Sequence, residues 1–320
     1  MNLKKINVYN QNNSYKEYDL AQKMTIKKVG IPKSLYYFFY PDLWKTFFET
    51  LEIEVILSES TSRKTIELAS SVAESENCLP IKLFDAHILE LIDKVDVLFV
   101  PRIISTIKKH CSCPKLSVLP DVARILAPGK VITFEINENK IKLISSLQKF
   151  AQELGFSNSI AKKAANRAVN ATKKHTEEKE QSKKTEASFF IVSHPYNLYD
   201  DYITGPVIKK LKKMNISYEI IEFKKEKRKK DAIRWDTCGE MNDNLFQLDP
   251  EKCKGVIQIS SFNCGCDSVM LETSRSVLKE KSIPFIVLII DEHSALAGVD
   301  TRLEAFIDSV RWKNEQNCNS

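Results

Sequence analysis

The strongest constraint on this chain is an alternation, made twice, between short apolar runs and segments of helical period. In the first series, strand-like runs at 25–31, 52–57, 95–100 and 130–135 are separated by helix-period segments at 35–51, 62–74 and 80–94. In the second, runs at 188–193, 217–223, 255–261 and 285–290 alternate with helical segments at 201–214, 240–249, 268–281 and 302–312. Strands alternating with helices make parallel βαβ units. A near-continuous apolar run such as 95–100 fits a strand buried on both faces. Two such series predict an α/β fold of two Rossmann-like, doubly wound lobes with parallel sheets and a cleft between them. The expected boundaries are a tail at 1–24, an N-terminal lobe at 25–140, a helical Lys-rich connector at 141–186 and a C-terminal lobe at 187–320. Only 8 glycines in 320 residues argue against an all-β protein of many tight turns.

No run reaches the roughly 18 apolar residues of a membrane helix, and residues 1–23 lack the apolar core of a signal peptide. The expected location is cytoplasmic, where structural disulfides are rare. The 8 cysteines therefore need another role. The net charge of +6 is concentrated at 162–184 and 224–230. No aromatic residues are interleaved there for base stacking, so these stretches read as solvated surface rather than a nucleic-acid site.

The cysteines fall where parallel sheets bind ligands, beyond the carboxyl ends of strands. Cys113 follows the run 95–100, Cys264 follows 255–261, and Cys78 precedes a helix with Pro80 in its first turn. Cys264 and Cys266 stand before a helix start, where free N–H groups and the helix dipole favour thiolate. Two Cys-x-Cys pairs, Cys111/Cys113 and Cys264/Cys266, join the dispersed Cys78 and Cys238 as metal-ligand candidates. Clustered thiolates select iron–sulfur centres, zinc or copper(I). There is no ferredoxin-type or zinc-ribbon spacing, so the spacing alone leaves open whether these are ligands or small buried hydrophobes. Cys253 and Cys318 are assigned to the second class.

Several segments together carry a family resemblance. They include Gly30-Ile31-Pro32-Lys33 with the aromatic run 36–40, Glu76-Asn77-Cys78-Leu79-Pro80, Val100-Pro101-Arg102 and Cys113-Pro114-Lys115. In the second half they are Ser260-Ser261-Phe262-Asn263-Cys264-Gly265, Asp291-Glu292-His293 and Gly298-Val299-Asp300-Thr301-Arg302. The chain resembles the acyl-CoA dehydratase activase-related proteins, relatives of the 2-hydroxyacyl-CoA dehydratase subunits, over most of 28–135 and 187–310. The resemblance implies a [4Fe–4S] cluster on Cys78, Cys113 and Cys264, with one iron left open. It also implies an electron supplied by an ATP-hydrolysing activator and passed to an acyl-CoA, with loss of water by a radical route or a related reduction. Cys111, Cys238 and Cys266 are the spare thiols that a larger, double-cubane cluster would need. Neither half contains a phosphate-loop motif, so the activator ATPase is expected to be a separate partner. A homo- or hetero-dimer is compatible with this reading; a membrane or nucleic-acid partner is not part of it. The competing classes are a non-catalytic electron carrier, a double-cubane reductase and a zinc-stabilised binding protein.

Glu292 and His293, just past a strand end, are the candidate proton-handling residues; the alternative is a strand-end cap. Arg302 at a helix start reads as a coenzyme A phosphate contact or as the partner of Glu304 or Asp300. His194, with Pro195 after it, ends the first strand of the second half and faces the expected cleft. His110 adjoins the first cysteine pair.

Overall fold

A computed structural model describes residues 26–40, 42–182, 188–221, 234–294 and 296–318. In chain order its first part runs β1 (Lys28–Ile31), α1 (Tyr36–Phe39), α2 (Leu43–Thr50), β2 (Glu54–Leu57), α3 (Arg63–Val72), α4 (Leu79–Leu91), β3 (Val97–Phe99), β4 (Arg102–Ser105), α5 (Pro114–Leu126), β5 (Val131–Ile132) and β6 (Glu135–Asn137). Two helices follow, α6 (Leu143–Glu153) and α7 (Asn158–Ser182). The second part runs β7 (Phe189–Val192), α8 (Pro195–Leu198), α9 (Gly205–Lys213), β8 (Tyr218–Ile220), α10 (Asp236–Gln247), β9 (Gly255–Ser261), α11 (Gly265–Glu280), β10 (Phe285–Ile290) and α12 (Leu296–Cys318).

The strands make two four-stranded parallel sheets, ordered β2-β1-β3-β5 and β8-β7-β9-β10. Counted within each sheet, both orders are 2-1-3-4. The two Rossmann-like α/β lobes thus repeat one topology without repeating residues. In each, the chain reverses its direction of progress between the first and third strands, and the crevice there is where open α/β sheets bind ligands. A two-stranded parallel ribbon, β4 with β6, extends the first lobe.

Several details refine or depart from the sequence reading, each for a local reason. The segment 35–51 is two helices: Asp42 stands between them in a left-handed conformation, φ 61°; Pro41 itself lies outside the described residues. Between the strand-like runs at 95–100 and 130–135 the chain holds β4 and α5; α5 accommodates Pro120 in its interior and starts on Pro114, where a missing N–H costs nothing. The helical segment read at 201–214 starts at Gly205-Pro206, which opens α9. Ser62 is the cap of α3, its hydroxyl and that of Thr65 forming a reciprocal capping box.

Beside the first sheet lies an aromatic core: Tyr36, Trp44, Phe47, Phe48, Phe99, Phe134 and Phe150, all buried, meet in stacked, tilted and edge-to-face pairs with centroids 4.9–6.4 Å apart. Phe150 comes from α6, while Ala161, Ala164, Ala165 and Ala168 let α7 pack closely on α2. The polar helical stretch between the two sheets therefore docks on the first lobe. The Lys-rich segment 224–230 lies outside the described residues. Among the described residues, no helix is long and apolar enough to cross a membrane.

Helix α4 joins the lobes. Phe84, Ile88 and Leu91 pack with the first-lobe core, whereas Leu79, Leu83 and Ala86 pack with Ile191, Ile257 and Leu303 of the second. Lys82 on α4 forms a buried ion pair with Glu292 beyond β10. Thr61 donates to Asp200, and Thr61 Oγ1 also lies 3.2 Å from His87 Nε2, whose ring is fully buried.

Candidate functional site: a buried thiol pocket between the lobes

The site is built from helix starts. Cys78 is the N-cap of α4, Cys113 of α5, His194 of α8 and Cys264 of α11. The local sequence explains why. Pro80, Pro114 and Pro195 occupy the first or second position of the helices after Cys78, Cys113 and His194, where proline's fixed φ suits a helix start, and Pro114 and Pro195 disfavour helical backbone at the Cys113 and His194 caps before them. The N-cap of α11 is Cys264, whose sulfur accepts from the Asp267 amide at 3.5 Å. His194 follows β7 and Cys264 follows β9, the two strands flanking the reversal of the second sheet.

The thiols meet in one place. Cys78 lies against Cys264, Cys113 against Cys266, and Cys266 against Cys238, close enough for each thiol to shift its neighbour's titration. Cys78, Cys238, Cys264 and Cys266 are buried and Cys113 is partly so. The contact with Cys264 holds the Cys78 thiol below its ordinary range, against burial and with help from nearby Lys115. The same contact, with burial, pushes Cys264 up. Contact with Cys266 and burial push Cys113 up. For Cys266 the Cys113 contact pulls down, but contact with Cys238 and burial together win and raise it. The helix amide expected to favour thiolate at Cys264 is present, yet the Cys78 contact and burial outweigh it.

The loop carrying Cys113 is fixed by the second lobe. Asp236, buried at the start of α10, accepts from Thr106 N at 3.1 Å, from Thr106 Oγ1 at 2.6 Å and from the Ser112 hydroxyl. The Cys111 amide donates to Arg234 O and the Asp236 amide to Cys111 O, both at 3.0 Å. The same helix carries Cys238, so one carboxylate sets the positions of two of the clustered thiols.

A charged pair sits against the thiols. His194 and Asp267 are each 1% exposed, with Nε2 2.9 Å from Oδ1. Asp267 is anchored by Ser260 Oγ at 3.1 Å and Ser261 N at 3.0 Å on its other oxygen. Burial opposes a charged imidazole, but Asp267 and then Cys264 outweigh it and raise His194 to about 10. Ligand atoms of His194, Cys264 and Asp267 lie within 4.8 Å of one another. Tyr196 stacks on the imidazole at 4.9 Å and meets Phe39 of the first lobe edge-on at 5.8 Å, closing this side of the pocket with aromatic surface.

The remaining candidates lie elsewhere. Cys111 is exposed, its sulfur facing Arg234 O at 3.6 Å. Cys253 is buried in its own turn, its thiol directed to Gly255 O at 3.7 Å and pushed up to about 11 by burial. The side chain of Cys318 is outside the described residues. His110 turns back to Lys108 O at 3.0 Å. His293 is 82% exposed, and Glu292 is occupied by Lys82. Their neighbour Asp291 forms the strand-end turn, accepting from Ser294 Oγ at 2.8 Å and the His293 amide at 2.9 Å. Arg302 donates to Val287 O at 2.6 Å, and it is Lys210 that takes Glu304 and Asp300. Sequence reasoning passed over Asp236 and Asp267, and read His194 only as facing the cleft. The signal for His194 was its Pro195, the same N-cap-then-proline step as Cys113-Pro114.

A comparison with curated proteins returns no match. The family described as the CoA enzyme activase uncharacterised domain (DUF2229) matches residues 28–223, more than half of the 320-residue chain. The matched stretch takes in the whole first lobe, the α6–α7 pair and the first two strands of the second lobe, and with them Cys78, Cys113 and His194. On that match the chain belongs to the CoA enzyme activase uncharacterised domain family.

Proposed function

We propose that this chain is an iron–sulfur redox protein in which Cys78, Cys113 and Cys264 hold a [4Fe–4S]-type cluster, serving reductive or radical chemistry on a CoA thioester or a similar small substrate. The observation that carries this reading is the meeting of five thiols from both lobes in one buried pocket. Burying thiols in contact leaves their sulfurs short of strong partners, and a soft cation satisfies several at once. The donor set fits such a cluster: all sulfur at its centre, walled by Tyr196 and Phe39, with no water-exposed carboxylate among the thiols. When bound, the cluster would supply one-electron transfer at low potential.

The chain's own residues do the rest. Asp236 fixes the Cys113 loop, the Lys82–Glu292 pair and α4 hold the lobes together, and the aromatic wall excludes water. Lys115, hydrogen-bonded to Asn77 Oδ1 at 3.0 Å, places positive charge near Cys78 and would offset negative charge gathered there. Cys266 and Cys238 extend the pocket, which favours a larger, double-cubane centre as the second reading. A separate ATP-dependent activator is the proposed electron donor. The lobe division at 25–140 and 187–320, with 141–186 as the helical segment between, is the domain organisation that goes with this proposal.

The test is spectroscopic and functional. Protein purified without oxygen should be brown, and its visible absorption should bleach on reduction and return on adding an acyl-CoA acceptor. A colourless protein with stoichiometric zinc contradicts the proposal. A brown protein whose reduced form ignores acyl-CoA keeps the cluster and assigns it to electron carriage.

A further inference from the structure

We propose that His194 is a protein ligand of the metal centre, its imidazole nitrogen joining the cysteine sulfurs and Asp267 orienting the ring. The inference rests on the cluster reading above and goes beyond its three cysteines.

Three independent observations converge. The first is position. Cys78, Cys113 and Cys264 share one structural role, the N-cap of a helix facing the pocket, and His194 is the fourth residue in that role. It stands after the first strand of the second sheet, across the reversal point from Cys264. The second is an unmet need. The ring is 1% exposed; Nε2 stands in the ion pair with Asp267, and Nδ1 lacks an aligned hydrogen-bond partner among the described residues. A buried polar atom without a partner is rare in native proteins and calls for an unseen ion or water. Tyr196 stacked on the ring face leaves the ring edge as the direction of approach. The third is the carboxylate. Metal-bound histidines almost always set their second nitrogen against a carboxylate or carbonyl, which fixes ring orientation. Asp267 sits 2.9 Å from Nε2 and is itself pinned by Ser260 and Ser261, so it cannot swing away.

Donor arithmetic points the same way. Cys111 is turned to the surface, so five of the six candidate thiols face the pocket, and His194 brings the donors there to six. A nitrogen donor beside Cys264 also changes what three cysteines alone imply. The position nearest His194 would be filled by protein, and substrate would have to displace the imidazole or bind elsewhere on the centre.

The experiment uses the full chain grown with 15N-histidine, reconstituted with iron and sulfide without oxygen and reduced with dithionite. Pulsed electron paramagnetic resonance then reads nitrogen hyperfine coupling at the cluster. The expected result is a strongly coupled histidine nitrogen that disappears in His194→Ala and persists in His293→Ala. Asp267→Asn should keep the coupling but weaken metal retention by roughly 10–100-fold. Iron bound with no histidine coupling in the unsubstituted protein overturns the inference while leaving the cysteine reading intact; this arm does not depend on any variant folding. Coupling that survives His194→Ala overturns it as well. No iron bound at all removes this inference and the proposed function together.

Discussion

The aromatic core of the first lobe and the thiol pocket between the lobes are both largely buried, but they are built on opposite terms. Around Trp44, Phe99 and Phe150 the buried surface is mainly aromatic, and the polar atoms of its rings are paired: the indole Nε1 donates to Tyr36 O at 3.2 Å and the Tyr36 hydroxyl donates to Phe99 O. Around Cys264 the buried groups are polar, crowded and incompletely paired: His194 Nε2 and Asp267 Oδ1 face each other at 2.9 Å, and His194 Nδ1 lacks an aligned partner. Desolvating such groups costs free energy that packing does not return. A fold keeps such a pocket when something else completes it, so the gathering of thiols with a buried imidazole and carboxylate, rather than burial, marks the functional region.

Mutation should separate the two regions. The largest effect is expected in the pocket: Cys78→Ala, Cys113→Ala or Cys264→Ala should each abolish cluster absorption and bound iron while far-ultraviolet circular dichroism stays native. In the core, Trp44→Ala should cost about 3–5 kcal/mol of stability by leaving a cavity, measured by denaturant unfolding, with iron per folded chain unchanged. If Trp44→Ala strips iron as completely as Cys264→Ala does, the distinction between the regions fails.

Next comes the joint between them. Glu292→Gln leaves Lys82 buried without its anion, and removing one partner of a buried pair costs about 3 kcal/mol or more. The same variant tests the alternative role of Glu292 in proton transfer, which would lower turnover without lowering the melting temperature.

Asp85 offers a smaller, pH-dependent effect. It is buried on α4, one of its oxygens lacks a partner, and burial raises its pKa to about 7. A carboxylate raised on folding binds a proton more tightly in the folded state, so stability falls as pH rises from about 4 to above 7. Asp85→Asn should remove this decline, stabilising the protein by roughly 1–3 kcal/mol at pH 8 and hardly at pH 4. The smallest effects are expected from Cys111→Ala and Cys253→Ala: the first thiol is on the surface and the second is bonded within its own turn. Both should retain full iron.

The fold was largely legible because it is periodic. Runs such as 255–261 and 285–290 coincide with β9 and β10, and two βαβ series require two parallel sheets. Where the structure departs, the cause is local: α5 carries Pro120 in its interior and reads as loop, and β4 and β6 are short strands of a separate ribbon. The site was legible in part. Cys78, Cys113 and Cys264 stand at strand and helix ends that the alternation predicts. Asp236, which holds the Cys113 loop from 130 residues away, leaves no mark in spacing. Nor does Asp267, whose part depends on His194 arriving from another strand.

The most direct test is the amount of iron and acid-labile sulfide per chain after purification without oxygen, in the unsubstituted protein and in a variant with Cys78, Cys113 and Cys264 all changed to Ala. The account predicts near-equal iron and sulfide in the first, at about four of each for a single four-iron cluster or about eight for the larger one, and neither in the second. Absence of sulfide, stoichiometric zinc, or iron that survives the triple substitution would contradict it.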